Sequence, residues 1–155
     1  VFKGLPGVGN ALVAYLTGST FLYGGAAVGG DLATVSVLFV LAAAATMARE
    51  IVKDVEDVAG DREEGLNTLP IAVGERAALG VAAAFVAAAM LASPLPFLRG
   101  TFGSAYLVVL VPTLLGLGAG IYRSFDDPGT GQTWLKASMF LAALAFVVGR
   151  AAVVV

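Results

Sequence analysis

The chain is built from long apolar runs, each about the length of a helix that crosses a bilayer, and this leaves it few folds to choose from. In hydrocarbon a backbone finds no water, so a crossing segment must satisfy its own polar groups as a helix. About 20 apolar residues are enough, and five stretches qualify, roughly 10–29, 32–51, 73–92, 104–122 and 134–153. The residues are 59% hydrophobic and only 13% charged, against about 25% charged in an ordinary globular domain. None of the stretches has the basic start, short apolar core and small-residue cleavage site of a signal peptide. The expected fold class is all-α, a polytopic transmembrane helical bundle of about five helices, read as a single integral-membrane domain over 1–155.

Charge is confined to the ends of these runs. Eight of the eleven acidic residues fall between Glu50 and Glu75. Taking residues 1–9 as cytoplasmic and alternating sides puts Lys3, Arg49, Lys53, Arg62, Arg76, Arg123 and Lys136 inside, and only Arg99 and Arg150 outside. Positive residues favour the inner side, so the expected location is the cell membrane, multi-pass, with the acidic island cytoplasmic.

The formal net charge of −2 offers no basic patch for a phosphate backbone, so nucleic acid is not an expected partner. Histidine and cysteine are both absent. That excludes disulfides, thiolate nucleophiles, imidazole bases and the usual zinc sites. Any metal must be a hard cation held by oxygen.

Within the island, Glu50, Asp54, Asp57 and Asp61 are spaced four, three and four apart. If the second helix runs on through Gly60, they share one helical face. Like charges at that spacing repel, so a cation or water must offset them. A solvated loop marking the inner side is the bland reading. Three aspartates in one register favour Mg²⁺, which takes one or two carboxylates, waters and substrate phosphates. Lys53, Arg49 and Arg62 interleave with the acids and suit phosphate oxygens. Downstream, Gly60 and Gly65 permit a shaped turn, Thr68 and Pro70 suit the start of a short helix, and the segment is expected to fold back over the acids. Pro94 and Pro96 form a stop, and 126–131 is a turn cluster. Gly24, Gly25, Gly116 and Gly120 are expected at close helix contacts, and Pro112 as a candidate kink.

The run Arg49 to Gly74, with Lys53-Asp54-Val55-Glu56-Asp57-Val58-Ala59-Gly60-Asp61-Arg62 and Asn67-Thr68-Leu69-Pro70, resembles the second aspartate-rich motif of the UbiA family of intramembrane prenyltransferases. Lys3-Gly4-Leu5-Pro6, Gly9-Asn10 and Leu16-Thr17-Gly18-Ser19-Thr20-Phe21-Leu22 resemble the preceding helix in the archaeal branch that makes digeranylgeranylglyceryl phosphate. The family has nine helices, and this chain is similar to the last five. The family's first Asn/Asp-rich motif, on an earlier helix, is expected to lie upstream of Val1. By itself the chain is therefore expected to be inactive.

The resemblance implies a Mg²⁺-dependent enzyme that moves a geranylgeranyl group from geranylgeranyl diphosphate to geranylgeranylglyceryl phosphate in archaeal lipid synthesis. Its partners would be an isoprenoid diphosphate, a lipophilic acceptor and membrane lipid. By motif, Asp54, Asp57 and Asp61 would be the catalytic and metal residues, and Lys3, Lys53 and Arg62 would bind substrate phosphates. Phe21, Tyr23, Tyr106 and Tyr122 are candidates for a greasy tunnel, although aromatic residues in membrane helices more often face lipid. An aromatic quinone precursor, a tetrapyrrole or haem is the alternative acceptor. A membrane transporter or cation-binding subunit is the alternative class; it would carry ionisable groups inside the membrane.

Overall fold

A computed structural model describes residues 5–154, and every described regular element is a helix. In chain order they are α1 (Val8–Ala27), α2 (Leu32–Glu56), α3 (Val58–Glu63), α4 (Leu69–Val73), α5 (Glu75–Ala92), α6 (Leu95–Leu98), α7 (Ala105–Ser124) and α8 (Pro128–Val154). Four of the described helical segments are long and apolar enough to cross a membrane: Leu32–Glu56, Glu75–Leu98, Ala105–Ser124 and Pro128–Val153. The first expected span does form a helix, α1, but it is not among the four. Asn10, Thr17, Ser19, Thr20 and four glycines dilute its hydropathy.

Helix α2 is the centre of the bundle, packing against α1, α5 and α8, while α7 lies along α8 and also meets α5. One core cluster joins Ile51, Val52 and Val55 of α2 to Leu79 and Val86 of α5, with Leu117 and Leu135. A second, around Phe102, Tyr106 and Ala145, closes the opposite end. There Phe102, Tyr106 and Phe146 stack with centroids 5.0–6.3 Å apart. The Tyr106 hydroxyl donates to the Ser93 carbonyl at 2.7 Å, pinning α7 to the end of α5.

Small residues let α7 and α8 approach almost backbone to backbone. A Cβ at Gly120 would stand 3.0 Å from the Leu135 nitrogen, and one at Gly149 would stand 2.7 Å from the Tyr106 Cβ. Gly116 and Gly25 behave as expected of contact glycines, but nothing lies within 4 Å of the position a Gly24 Cβ would take. Pro112 sits inside an uninterrupted α7. The prolines at 94 and 96 do stop α5, leaving only the one-turn α6.

Two boundaries differ from the sequence expectation. The turn cluster at 126–131 is mostly helix, because α8 already starts at Pro128. Asp127 caps it, accepting from the Thr130 amide at 3.0 Å and the Thr130 hydroxyl at 2.6 Å, and proline is well suited to a first helical position. Helix α2 does not run through Gly60. It ends at Glu56, Asp57 turns (φ −90°, ψ 3°), and α3 begins at Val58. Like-charge crowding along that face and a glycine in the next turn both weaken the helix there.

Gly149→Val would drive its side chain into Tyr106 and Phe102, and is expected to destabilise the bundle by about 1–3 kcal/mol. Gly80→Ala, at an exposed helical position with open space around it, is expected to stabilise by about 0.5–1 kcal/mol. Thermal unfolding in detergent measures both, and a Gly149→Val protein as stable as the parent would contradict the close approach. A second expectation concerns pH. The Thr34 hydroxyl, then the Thr34 and Ala33 amides, hold the Asp31 carboxyl below its ordinary value of 3.8. Its folded-state pKa is therefore depressed, so its capping of α2 is full above the ordinary value and is lost as pH falls through the depressed one. The melting-temperature gap between the parent and Asp31→Ala should be full near about pH 6 and close in strong acid.

Candidate functional site

The end of the bundle that gathers the start of α1, the end of α2, the start of α5 and the α7–α8 turn carries the acidic island. Asp54, half-buried on the last turn of α2, accepts a 2.7 Å hydrogen bond from the Asn10 amide of α1. It feels like-charge repulsion from Asp61 and from Glu50. A recess of about 130 Å³ opens beside it, lined by Leu5, Gly7, Asn10, Leu66, Asn67 and Thr68 among others.

The segment after the island folds back against Asp54, as its composition suggested. Gly65, at φ 68°, ends α3 in a left-handed turn. The Gly65 amide donates to the Arg62 carbonyl and the Leu66 amide to the Asp61 carbonyl, at 3.1 and 2.9 Å. That pair of bonds is a Schellman closure, which favours glycine because it needs positive φ. It returns the chain so that Leu66, Asn67 and Thr68 reach the recess. Thr68 stands at the start of α4, and among the described residues it makes no capping bond and its buried hydroxyl has no partner.

The aspartates singled out by spacing are treated unequally. Asp54 faces inward and Asp61 is half-buried near it, whereas Asp57 is exposed. The Asp57 carboxylate stands 3.5 Å from the Lys53 ammonium, one helical turn earlier. Among the described residues no three acidic side chains are gathered closely enough to hold one ion. Lys53 and Arg62 are exposed and do not line the recess, and Lys3 lies outside the described residues.

One helical turn deeper than Asp54, a cavity of about 500 Å³ begins. Its wide part is apolar, between Val13 and Phe21 of α1, Leu41 and Ala45 of α2, Leu110 of α7, and Phe140 and Phe146 of α8. Runs of alanine on α2 and α8 leave the space. Of the tunnel candidates, Phe21 and Tyr106 line it, while Tyr23 and Tyr122 are 79% and 73% exposed and point away from it. Its polar end holds Thr46, Arg49, Glu50 and Lys136. Arg49 pairs with Glu50 at 2.6 Å and reaches Gln132 of α8 at 3.3 Å.

Asn10, Thr46, Gln132 and Lys136 were not singled out from the sequence. Lys136 had a signal, as a lysine inside the last apolar run. Asn10 entered only as part of the Gly9-Asn10 resemblance, with no role attached, and Thr46 had no signal, because a single polar residue in a long helix is unremarkable until its neighbours are known.

Residues 1–144 match the sequence profile of the UbiA prenyltransferase family. Among curated relatives, the digeranylgeranylglyceryl phosphate synthase of Natronomonas pharaonis is 77% identical over 154 residues, covering 99% of this chain and 56% of that protein. The Haloquadratum walsbyi synthase is 55% identical, covering 99% and 54%. The Methanopyrus kandleri synthase is 47% identical, covering 94% and 54%. The chain thus spans about half the length of the curated relatives it matches. A solved structure described as giving insights into "the biosynthesis of Digeranylgeranylglyceryl phosphate synthase in membranes" matches with a TM-score of 0.83 at 36% identity, covering 92% of this chain and 52% of that one. With the family profile spanning nearly its whole length and its fold matching that membrane structure, this chain belongs to the UbiA family of prenyltransferases.

Proposed function

We propose that this chain supplies one aspartate-rich half-site and an isoprenoid cavity to an enzyme of archaeal lipid synthesis. The enzyme transfers a geranylgeranyl group from geranylgeranyl diphosphate to the free hydroxyl of geranylgeranylglyceryl phosphate. The observation that carries this reading is the junction of two environments: an apolar cavity of about 500 Å³ ends in charged residues one helical turn from the Asp54 recess. A substrate with a greasy tail and a diphosphate head needs that sequence of surroundings. The names of the relatives support the choice of acceptor.

The residues present suit Mg²⁺ held by part of a coordination shell. Asp54 and Asp61 interact electrostatically, and the buried Thr68 hydroxyl at the same recess lacks a partner among the described residues. Mg²⁺ commonly takes one or two carboxylates and completes its shell with water and substrate phosphates. Asp54 and Asp61 would hold it, with Asp57 as the third carboxylate. When bound, the ion would neutralise charge on the departing diphosphate.

The chain's own residues do the rest. Lys53 and Arg62, both exposed, would contact diphosphate oxygens, and Lys3 joins them by motif. The allylic carbon–oxygen bond breaks with its electron pair leaving on the diphosphate. The apolar walls keep water from the allylic cation, and the acceptor hydroxyl oxygen forms the new bond. Its proton passes to a carboxylate of the island. The described positive residues divide six to two in favour of the island end, which supports a cell-membrane protein with this end in the cytoplasm.

Full-length protein in detergent should release diphosphate from geranylgeranyl diphosphate only when both Mg²⁺ and the acceptor are supplied, and a chelator should stop it. Asp54→Ala and Asp61→Ala should each lower turnover by about 10²-fold or more without lowering the melting temperature. Undiminished turnover in both variants would remove the island from the reaction.

A further inference from the structure

We propose that Thr46, Arg49 and Lys136 form an anion subsite at the polar end of the cavity, built for a phosphate monoester at the head of an isoprenoid lipid. It is separate from the carboxylate recess around Asp54. Its assignment to the acceptor lipid rests on the function proposed above.

Unpaired polar groups mark the place. Five Ser and Thr residues are buried among the described residues: Thr46, Ser93, Thr113, Ser124 and Ser138. Four of them donate back to the carbonyl one helical turn earlier, at 2.7–2.8 Å. The Thr46 hydroxyl does not. It is 4% exposed, lines the cavity and has no partner among the described residues. One turn outward on the same helix, the Arg49 Nε is also buried and has no partner among the described residues. Glu50 and Gln132 hold its two other nitrogens, which fixes the guanidinium plane and leaves the Nε edge in want of an acceptor. Buried donors in this condition are uncommon in folded proteins.

The charge balance selects the ligand. Lys136 lines the same end of the cavity and makes no ion pair among the described residues. It stands one turn deeper than Gln132 on α8, as Thr46 stands one turn deeper than Glu50 on α2, so the groups converge from two helices. Two cations face one carboxylate, and that carboxylate is already committed to Arg49. Such a site attracts an anion directly, whereas the Asp54 recess is acidic and attracts one only through a cation. A phosphate monoester carries about −1.5 to −2 charge near neutrality, and charge-assisted bonds to Arg and Lys suit it. The apolar walls beyond take the attached chain.

Two substitutions are mild enough to keep the fold: Thr46→Val, which removes an unpaired hydroxyl, and Lys136→Met, at an exposed position. In full-length protein each should raise the KM for geranylgeranylglyceryl phosphate, by about tenfold for Lys136→Met, while the KM for geranylgeranyl diphosphate stays within about twofold. A binding measurement needs neither metal nor turnover. With a chelator present, geranylgeranylglyceryl phosphate should raise the melting temperature of the parent more than geranylgeranylglycerol does, and Lys136→Met should erase that difference. A rise in donor KM alone would place the diphosphate here and overturn the proposal, as would two variants with neither KM changed. If the full-length protein transfers no prenyl group, the proposed function falls, and the metal-free binding result alone decides the subsite.

Discussion

A helix that runs from hydrocarbon into water changes solvent along its length, and α2 makes that change between Ala45 and Asp54. Its deeper half can afford only small and apolar side chains, and these leave the cavity open. Its outer half must carry charge, and the charges mark the membrane surface. The remaining helices are arranged around this gradient: α5 seals one side of α2 with Leu79 and Val86, α8 brings Gln132 and Lys136 to the level where the solvent changes, and α1 sends Asn10 to Asp54. The site is therefore a property of one helix's passage through an interface, completed by single residues from its neighbours.

That arrangement explains why charged groups so near a greasy cavity are tolerated. Arg49 is half-buried, but its charge is matched by Glu50 and its plane is fixed by Gln132. A buried charge without such compensation would be far costlier. Asp57 illustrates the opposite solution. Where α2 ends near water, this surplus carboxylate is exposed and pairs with Lys53 one turn earlier. The lysine offsets part of the repulsion among the acids along this helix.

Much of this was legible in the sequence, and the exceptions have physical causes. Apolar length gave the helices, because lipid allows nothing else. The island was plain because charge has few places to go in such a chain. Gly65 was readable as a turn, since the closing geometry of α3 needs positive φ. The start of α8 was misplaced because Asp127-Pro128 can open a helix as well as a turn, and only packing on α7 decides between them. The single-face reading of the aspartates assumed an unbroken helix, and spacing alone cannot show where repulsion breaks one. Thr46 became visible only when α2 and α8 were set side by side, and only then did Lys136, a lysine in an apolar run, gain neighbours that gave it a role.

The seam between α7 and α8 also determines where the cavity can change shape. Gly120 and Gly131 bring the two backbones together, so that a Cβ at Gly131 would stand 2.7 Å from the Ser124 Cα. Backbones in such contact cannot slide or part by rotamer changes, so their spacing is fixed. The side chains that line the cavity, Phe140 and Leu110 from this pair as well as Val13, Phe21 and Leu41 opposite, have torsions that can turn. The cavity's width can therefore change by side-chain rotation while the helix pair keeps its spacing, and Tyr106 and Phe146 join the lining to the ring cluster at the far end.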